Sequence, residues 1–219
     1  MFLAITLARY GSKRLKNKNL IKILNSNLLN LTYSKSIKSR YFNSIYLSTE
    51  SKKIAKEGKK IGYKVPFLRS RLLAKDDSKS EEVIIDFLKK IKKNFKYIVL
   101  LQPTSPLRKK EHIDSAINKF LQRKYDSLIS ISHTFKKHKH SVSLRKNLII
   151  RKSSKIKGKY FFINGAVYIS KIDKFFENES FFSKKTGFYL MPKKYSLDID
   201  TKKDLKLLER MMRNDKKTS

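Results

Sequence analysis

Leu100-Leu101-Gln102-Pro103-Thr104-Ser105-Pro106-Leu107-Arg108 is the stretch on which the reading of this chain turns. The apolar run 97–101 has the character of a buried strand, and it stops at a turn holding two prolines. Proline has no N–H to give to a ladder, so the strand ends there. An amide, two hydroxyls and a guanidinium are then displayed at the carboxyl end of a strand, the place where open α/β sheets hold their ligands.

On either side of this turn, strand-like and helical runs alternate. Residues 2–8, 44–49, 65–68, 126–132 and 161–170 read as strands, and 187–191 as a last one. Helical spacing runs through 28–41. Ser51 is placed to cap a helix ending at Ile61, and Ser78 or Ser80 to cap one whose apolar face is Val83, Ile84, Phe87, Leu88 and Ile91. Ile113, Ile117, Phe120 and Leu121 mark a further helix, residues 201–213 a closing one, and 214–219 a frayed tail. This alternation predicts an α/β fold with a doubly wound, mostly parallel sheet in a single domain over 1–219. It breaks at about 133–160, a polar and basic stretch that reads as an insertion.

The hydrophobic content of 40% is enough for a core. No apolar run reaches 18 residues, the first residues are too short for a signal peptide, and no cysteine is present. A cytoplasmic protein without a membrane partner is expected. Fifty-three Lys and Arg against 18 Asp and Glu leave a net charge of +35. Such a charge points either to a polyanionic partner or to a lysine-biased composition. The lysines are spread along the whole chain, mostly on polar helix faces, which favours composition. Only weak, nonspecific nucleic-acid binding that fades with salt is expected. Among so many bases, each cluster of acids carries more information than usual.

Several constellations carry chemistry. Residues 7–19 follow the first strand as a basic loop with one glycine, Gly11. Such a loop suits polyphosphate through backbone N–H groups and the charges of Arg9, Lys13 and Lys18, or is simply a basic surface loop. Its Gly, Lys and Ser spacing is not that of a P-loop. In Ser196-Leu197-Asp198-Ile199-Asp200-Thr201, a strand conformation puts Asp198 and Asp200 on one face about 7 Å apart, close enough to share a cation. Oxygen ligands beside a triphosphate suit Mg²⁺. A helix cap at Asp200 or Thr201, or pairing with lysines, would explain the same residues. Gly165, inside a strand-like run, implies close approach of another group. Phe181-Phe182, as an aromatic pair, fits core packing. His133, His138 and His140 lack the partners of a metal cage and read as solvated.

Taken in order, these strings resemble the acylneuraminate cytidylyltransferase family over nearly the whole chain. The matching positions are Ala8-Arg9, Gly11-Ser12-Lys13 and Lys18-Asn19, then Arg69, Leu73-Ala74, Asp76 and Ser80. The turn 100–108 follows, then Asn164-Gly165-Ala166-Val167-Tyr168 and Asp198-Ile199-Asp200-Thr201. The family often carries proline where Leu7 and Ser70 stand and Pro-Gly where Lys16-Asn17 stand.

The resemblance implies a Rossmann-like nucleotidyltransferase fold and a transfer from CTP to a sialic-type nonulosonic acid, giving a CMP-sugar and pyrophosphate. Legionaminate, pseudaminate or a Kdo-like acid are alternative substrates, and a non-enzymatic nucleic-acid-binding protein is the distant alternative. It implies catalytic roles for Lys13, Lys18, Asp198 and Asp200, the two aspartates holding Mg²⁺. Nucleotide binding falls to Ala8, Arg9, Gly11, Ser12, Asn19, Arg69 and Ser80. Sugar binding falls to Gln102, Asn164, Tyr168, Phe181 and Phe182. Arg9 and Arg108 are placed to meet the sugar's carboxylate. The insertion implies a homodimer, with Arg151, Lys152 or Lys155 standing in for the family's Arg-rich string.

Overall fold

The computed structural model describes residues 1–12, 14–136, 138, 140–150 and 159–217. The first strand, β1 (Phe2–Leu7), is apolar except at the buried Thr6, because both of its faces are covered. It pairs in parallel with β2 (Ile45–Ser48) on one side and β3 (Tyr97–Leu100) on the other. Alternate residues feed two cores. Ala4, Ile45, Leu47 and Val99 pack with Leu29, Ile54, Ile113, Ile117 and Phe120, carried by α1 (Leu28–Ser36), α2 (Lys52–Ile61) and α4 (Lys110–Gln122). Leu3, Ile5, Tyr46, Ile98 and Leu100 pack on the other face with Ile84, Phe87 and Phe175 of α3 (Ser80–Lys90) and α5 (Ile172–Asn178). The doubly wound arrangement is therefore present.

The expectation of a mostly parallel sheet is corrected. The remaining strands are β4 (Ser127–Thr134), β5 (Ser141–Arg145), β6 (Leu148–Ile150), β7 (Tyr160–Lys171) and β8 (Thr186–Leu190). The order across the sheet is β2-β1-β3-β7-β4-β8-β6-β5. Outside the β1 pairs, only β4–β8 is parallel among the strands of the described residues. β7 runs antiparallel to β3, β4 and β5, and β6 antiparallel to β5 and β8. A parallel strand needs a crossover connection, usually a helix. Among the described residues no helix lies between β4 and β7, so β7 comes back in the opposite direction.

The insertion at 133–160 is likewise more than a polar excursion. β4 continues through its first residues, and β5 and β6 form a hairpin. Its two-residue turn, Lys146-Asn147, has φ of 47° and 65°, the left-handed pair of a type I′ turn. Because β5 also pairs with β7 and β6 with β8, strands β7-β4-β8-β6-β5 close on one another. Residues 151–158, with Arg151, Lys152 and Lys155, lie outside the described residues.

Three local expectations also change. Residues 65–68 make no strand. Only Lys64 bridges to Tyr46, and Pro66 has no N–H to continue the pairing. α1 stops at Ser36, short of residue 41. α3 is not capped by serine: Glu82 accepts from the Lys79 N–H at 3.3 Å, and the Ser78 hydroxyl donates to Leu72 O. Ser51 caps α2 as expected.

A third, smaller cluster joins Leu15 of the first loop, Leu107 and Ile199 to Leu208 of the closing helix α6 (Lys202–Lys217). Among the described residues no helix is long and apolar enough to cross a membrane.

His112, in the first turn of α4, is buried, and its Nδ1 accepts from the Lys109 N–H at 3.1 Å. Burial, with Lys109, Arg108 and Lys35 adding to it against Glu111, pushes its pKa from 6.5 down to about 4. Between those values the unfolded chain binds a proton that the folded one refuses. This group's contribution is therefore full above pH 6.5 and is lost as pH falls towards 4. Urea midpoints measured from pH 7 to 4 should decline, and His112→Gln, which keeps an acceptor but cannot titrate, should flatten the decline. An unchanged slope in that variant would contradict the assignment.

Candidate active site

The site is assembled on the carboxyl ends of β1, β2 and β3. Ala8 leaves β1 with its N–H on Ser48 O at 3.1 Å and is itself buried. Just past β2, the Glu50 carboxylate accepts from the Tyr10 N–H at 2.7 Å and from Arg69 Nη2 at 2.9 Å, so one acid ties the first loop to Arg69. Arg69 is 6% exposed, and its Nε has no partner among the described residues. Burial lowers its pKa, Glu50 opposes the shift and Arg9 adds to it. Arg9 pairs with Asp76. Leu7, Arg9, Arg69, Leu73, Asp76, Ser80 and their neighbours enclose a cavity of about 200 Å³. It gathers three of the expected nucleotide contacts: Arg9, Arg69 and Ser80.

The rest of the first loop divides between support and exposure. Asn19 is buried and donates Nδ2 to Arg9 O at 3.1 Å, which holds the loop closed. Gly11 has no positive φ, and no atom lies within 4 Å of where its Cβ would stand. The turn therefore does not require a glycine; its absence of a side chain leaves backbone open at the crest beside Ser12. Lys13 lies outside the described residues.

Lys18 opens a short 3-10 turn, Lys18–Leu20, and reaches across to the acidic segment. Its Nζ donates to Ile199 O at 3.0 Å and to Asp200 Oδ1 at 3.1 Å, while Arg14 donates to Asp200 Oδ2 at 2.8 Å. Ile199 is fully buried, and its N–H bonds Thr104 O of the proline turn at 2.9 Å. The acidic segment is thus pinned at its middle. Asp198 is exposed and Asp200 half-buried on either side of it. The expected strand is corrected here: 197–200 joins no ladder. Thr201 caps α6, its hydroxyl accepting from the Asp204 N–H, while Asp204 accepts from the N–H groups of Asp200 and Thr201. Capping therefore does not occupy the Asp200 carboxylate.

The third wall is the proline turn against β7. Gly165 has φ of 74°, and a Cβ there would stand 2.8 Å from Gln102 Oε1. Only glycine lets the Gln102 side chain lie so close to the strand. Beside it, Asn164 is 3% exposed and its amide is spent inside the protein. Oδ1 accepts from Ser130 Oγ at 2.6 Å and the Ala166 N–H at 3.1 Å, and Nδ2 donates to Ser132 Oγ at 3.2 Å and Ser196 Oγ at 3.1 Å. The Tyr168 ring sits 5.3 Å from that of Phe181. Burial, with Glu81 and Asp198 adding negative charge, raises the Tyr168 phenol above its usual 10 and keeps it protonated. Of the two readings for the aromatic pair, core packing describes Phe181, which is buried with Phe175; Phe182 is half-buried on the same cluster.

The direct role expected for Arg108 is overturned. Its side chain is fully buried, with Nη1 on Ala166 O at 2.7 Å and on Gln102 O at 3.2 Å. Burial lowers its pKa to about 10, so it stays charged at neutral pH, but the charge is committed to backbone carbonyls. Among the histidines, the His138 ring packs at a tilt against those of His140 and Phe162, and no group of three or more potential ligands exists among the described residues.

Two functional candidates escaped sequence reasoning. Glu50 follows directly on β2 in a chain with 18 acids, and that position was the available signal. Arg14 carried no signal among so many bases.

Comparison with known proteins agrees with this geometry. The family model described as "Cytidylyltransferase" matches residues 3–218. The CMP-N,N'-diacetyllegionaminic acid synthase of Legionella pneumophila is 35% identical over 224 residues, covering 96% of this chain and 95% of that one. The N-acylneuraminate cytidylyltransferase of Streptococcus agalactiae is 32% identical over 212 residues, which cover 92% of this chain and 51% of that protein. The structure of CMP:2-keto-3-deoxy-manno-octonic acid synthetase complexed with CTP has the same fold, with a TM-score of 0.79 over 98% of this chain and 99% of that one at 13% identity. A match that runs almost from end to end, through every wall of the site, makes this chain a member of the cytidylyltransferase family and a nucleotidyltransferase enzyme.

Proposed function

We propose that the enzyme transfers CMP from CTP to a nonulosonic acid and releases pyrophosphate. One observation carries the reading. A small cavity holding the orphan Nε of Arg69 opens on the same sheet edge as the Lys18–Asp200 pair, so base and polyphosphate find separate, adjacent supports. The names of the relatives from Legionella and Streptococcus support the sugar class. The lack of cysteine fits a cytoplasmic setting.

In this reading Arg69 and Ser80 orient the cytidine. Lys18, Arg14 and Lys13 offset the charge of the phosphates, and most of all the charge that grows on pyrophosphate as it departs. Ala8, Gly11, Ser12 and Asn19 shape the loop that brings those charges in. Gln102 and Tyr168 face the sugar. The oxygen of the sugar's anomeric hydroxyl forms the new bond to the α-phosphorus as the bond from that phosphorus to the oxygen bridging the β-phosphate breaks, and the hydroxyl proton passes to solvent water. Positioning and electrostatics suffice, and no covalent nucleophile is required. Asp198 and Asp200 form an oxygen-only donor pair of the kind Mg²⁺ uses when phosphates and water complete its shell. When bound there, Mg²⁺ would neutralise phosphate charge.

The test is pyrophosphate release with CTP, Mg²⁺ and, in turn, N-acetylneuraminate, legionaminate, pseudaminate and Kdo. Turnover with none of them would refute the reading. With the preferred acid, Asp200→Asn and Lys18→Ala should each lower kcat about 100-fold or more, the scale of losing one oriented electrostatic group. Thermal unfolding should shift little. Near-wild-type turnover in both would remove these residues from the machinery.

Nucleotide choice gives a second check. A pocket that accepts a hydrogen bond from the cytosine amine meets a carbonyl in UTP, and an unpaired buried acceptor costs about 1–3 kcal/mol. CTP should therefore be preferred over UTP by roughly tenfold or more, and Arg69→Met should raise KM for CTP more than for the sugar. Equal use of UTP would count against the base assignment.

The segment at about 133–160 is proposed to form a homodimer interface. Phe135, Ile150 and Leu190, at the ends of β4, β6 and β8, are 68%, 39% and 46% exposed. Exposed apolar side chains of this size suit association. Light scattering should return twice the chain mass, and Phe135→Lys should shift it towards the monomer. A wild-type monomer with full activity would contradict the interface.

A further inference from the structure

Asn164 lies where the resemblance expects a sugar contact, yet its amide is turned inward and fully used. Its four side-chain bonds reach three separate segments. Ser130 and Ser132 belong to β4, Ala166 to β7, and Ser196 stands two residues before Asp198. A fifth bond leaves from its backbone: Ser105 Oγ, in the turn that carries Gln102, donates to Asn164 O at 3.2 Å. The hydroxyls are bound further. Ser132 donates to Met191 O at 2.6 Å and pairs with Ser196 at 2.5 Å, Ser196 reaches Pro192 O at 3.3 Å, and Ser130 accepts from the Val167 N–H at 2.8 Å. The two ends of this web are therefore the Gln102 turn and the segment that presents Asp198 and Asp200.

We propose that Asn164 is a positioning residue that sets the gap between the sugar wall and the acidic segment, acting through Ser196, and is not itself a sugar contact. The proposal rests on the function given above, in which Gln102 faces the sugar and Asp198 and Asp200 hold the nucleotide's cation. A serine or water-filled gap at position 164 would still let the strands pair. What a side-chain amide adds is two donors and two acceptors in one rigid plane, a part suited to fixing several hydroxyls at once. In a buried network each member fixes its neighbours, so a loss at one end is felt at the other.

Ser196→Ala is the variant of choice, because Ser196 is only partly buried and its loss leaves every strand pair intact. The readout is Mn²⁺ and CTP binding by calorimetry, with no sugar present, alongside steady-state kinetics and thermal unfolding. Ser196→Ala should weaken Mn²⁺ binding in the presence of CTP by about fivefold, the scale of one lost buried hydrogen bond. It should lower kcat by a similar factor and leave KM for the sugar within about twofold. Ser196→Thr, which restores the hydroxyl, should recover both. Asn164→Ala should shift the same metal titration in the same direction, whereas Gln102→Ala should raise KM for the sugar and leave the titration alone. If Asn164→Ala does not fold, the Ser196 pair decides. Sugar-free metal binding unchanged in Ser196→Ala, or an Asn164→Ala effect confined to KM for the sugar, would overturn the proposal and return Asn164 to the sugar site. A wild type that binds no metal and CTP would sink the proposed function, and this role with it. A competent wild type with unaffected variants sinks the positioning role alone.

Discussion

The antiparallel entry of β7 between β3 and β4 is the constraint on which the rest of this structure depends. β3 ends at the proline turn, and β7 passes directly beside it, so Gly165 comes under Gln102 and Asn164 comes under Ser105. Arg108 fastens the same two pieces from below through Ala166 O and Gln102 O. Burying a guanidinium away from any carboxylate costs several kcal/mol before its hydrogen bonds offset it. Its presence shows how firmly the turn is held against the strand. β7 also carries the other half of the molecule, since its first residues pair with both β4 and β5 and allow the hairpin to close the end of the sheet.

Electrostatics in this chain work by scarcity. With a charge of +35, cations are spread along the whole chain, and solvent screens the exposed ones. The few acids act as ties. Glu50 joins the first loop to Arg69, and Asp200 joins Lys18 and Arg14 to the acidic segment. Each tie places guanidinium or ammonium groups at the edge where a polyphosphate would lie. The same lysine-rich composition that obscured function in the bulk numbers thus leaves the acids as the most informative residues in the sequence.

Much of the fold was legible because it is local. The period of β1 and β3, the serine cap of α2 and the apolar faces of α3 and α4 depend on neighbours in sequence. So did the motif strings, since each is a strand end followed by its loop. The hairpin was not legible. Its turn is Lys146-Asn147, without the glycine that normally announces a type I′ turn, and the apolar run that follows it, Leu148-Ile149-Ile150, is only three residues long. The direction of β7 was not legible either, because a strand's pattern is the same read parallel or antiparallel. Residues 65–68 looked like a strand by composition, and Pro66 decided otherwise.

For the site, sequence alone determined which residue types stand at the ends of β1 and β3 and which acids are rare enough to matter. Chemistry of that kind is written in side chains and their spacing. Partnership is not, because it depends on segments brought together over long separations. Only the tertiary structure could pair Arg14 and Lys18 with Asp200, give Glu50 to Arg69, turn the Asn164 amide inward and bury Arg108 beneath the turn it was expected to face outward from. Each of those outcomes is decided by which buried donor meets which acceptor, and that is known only once the sheet has chosen its strand order.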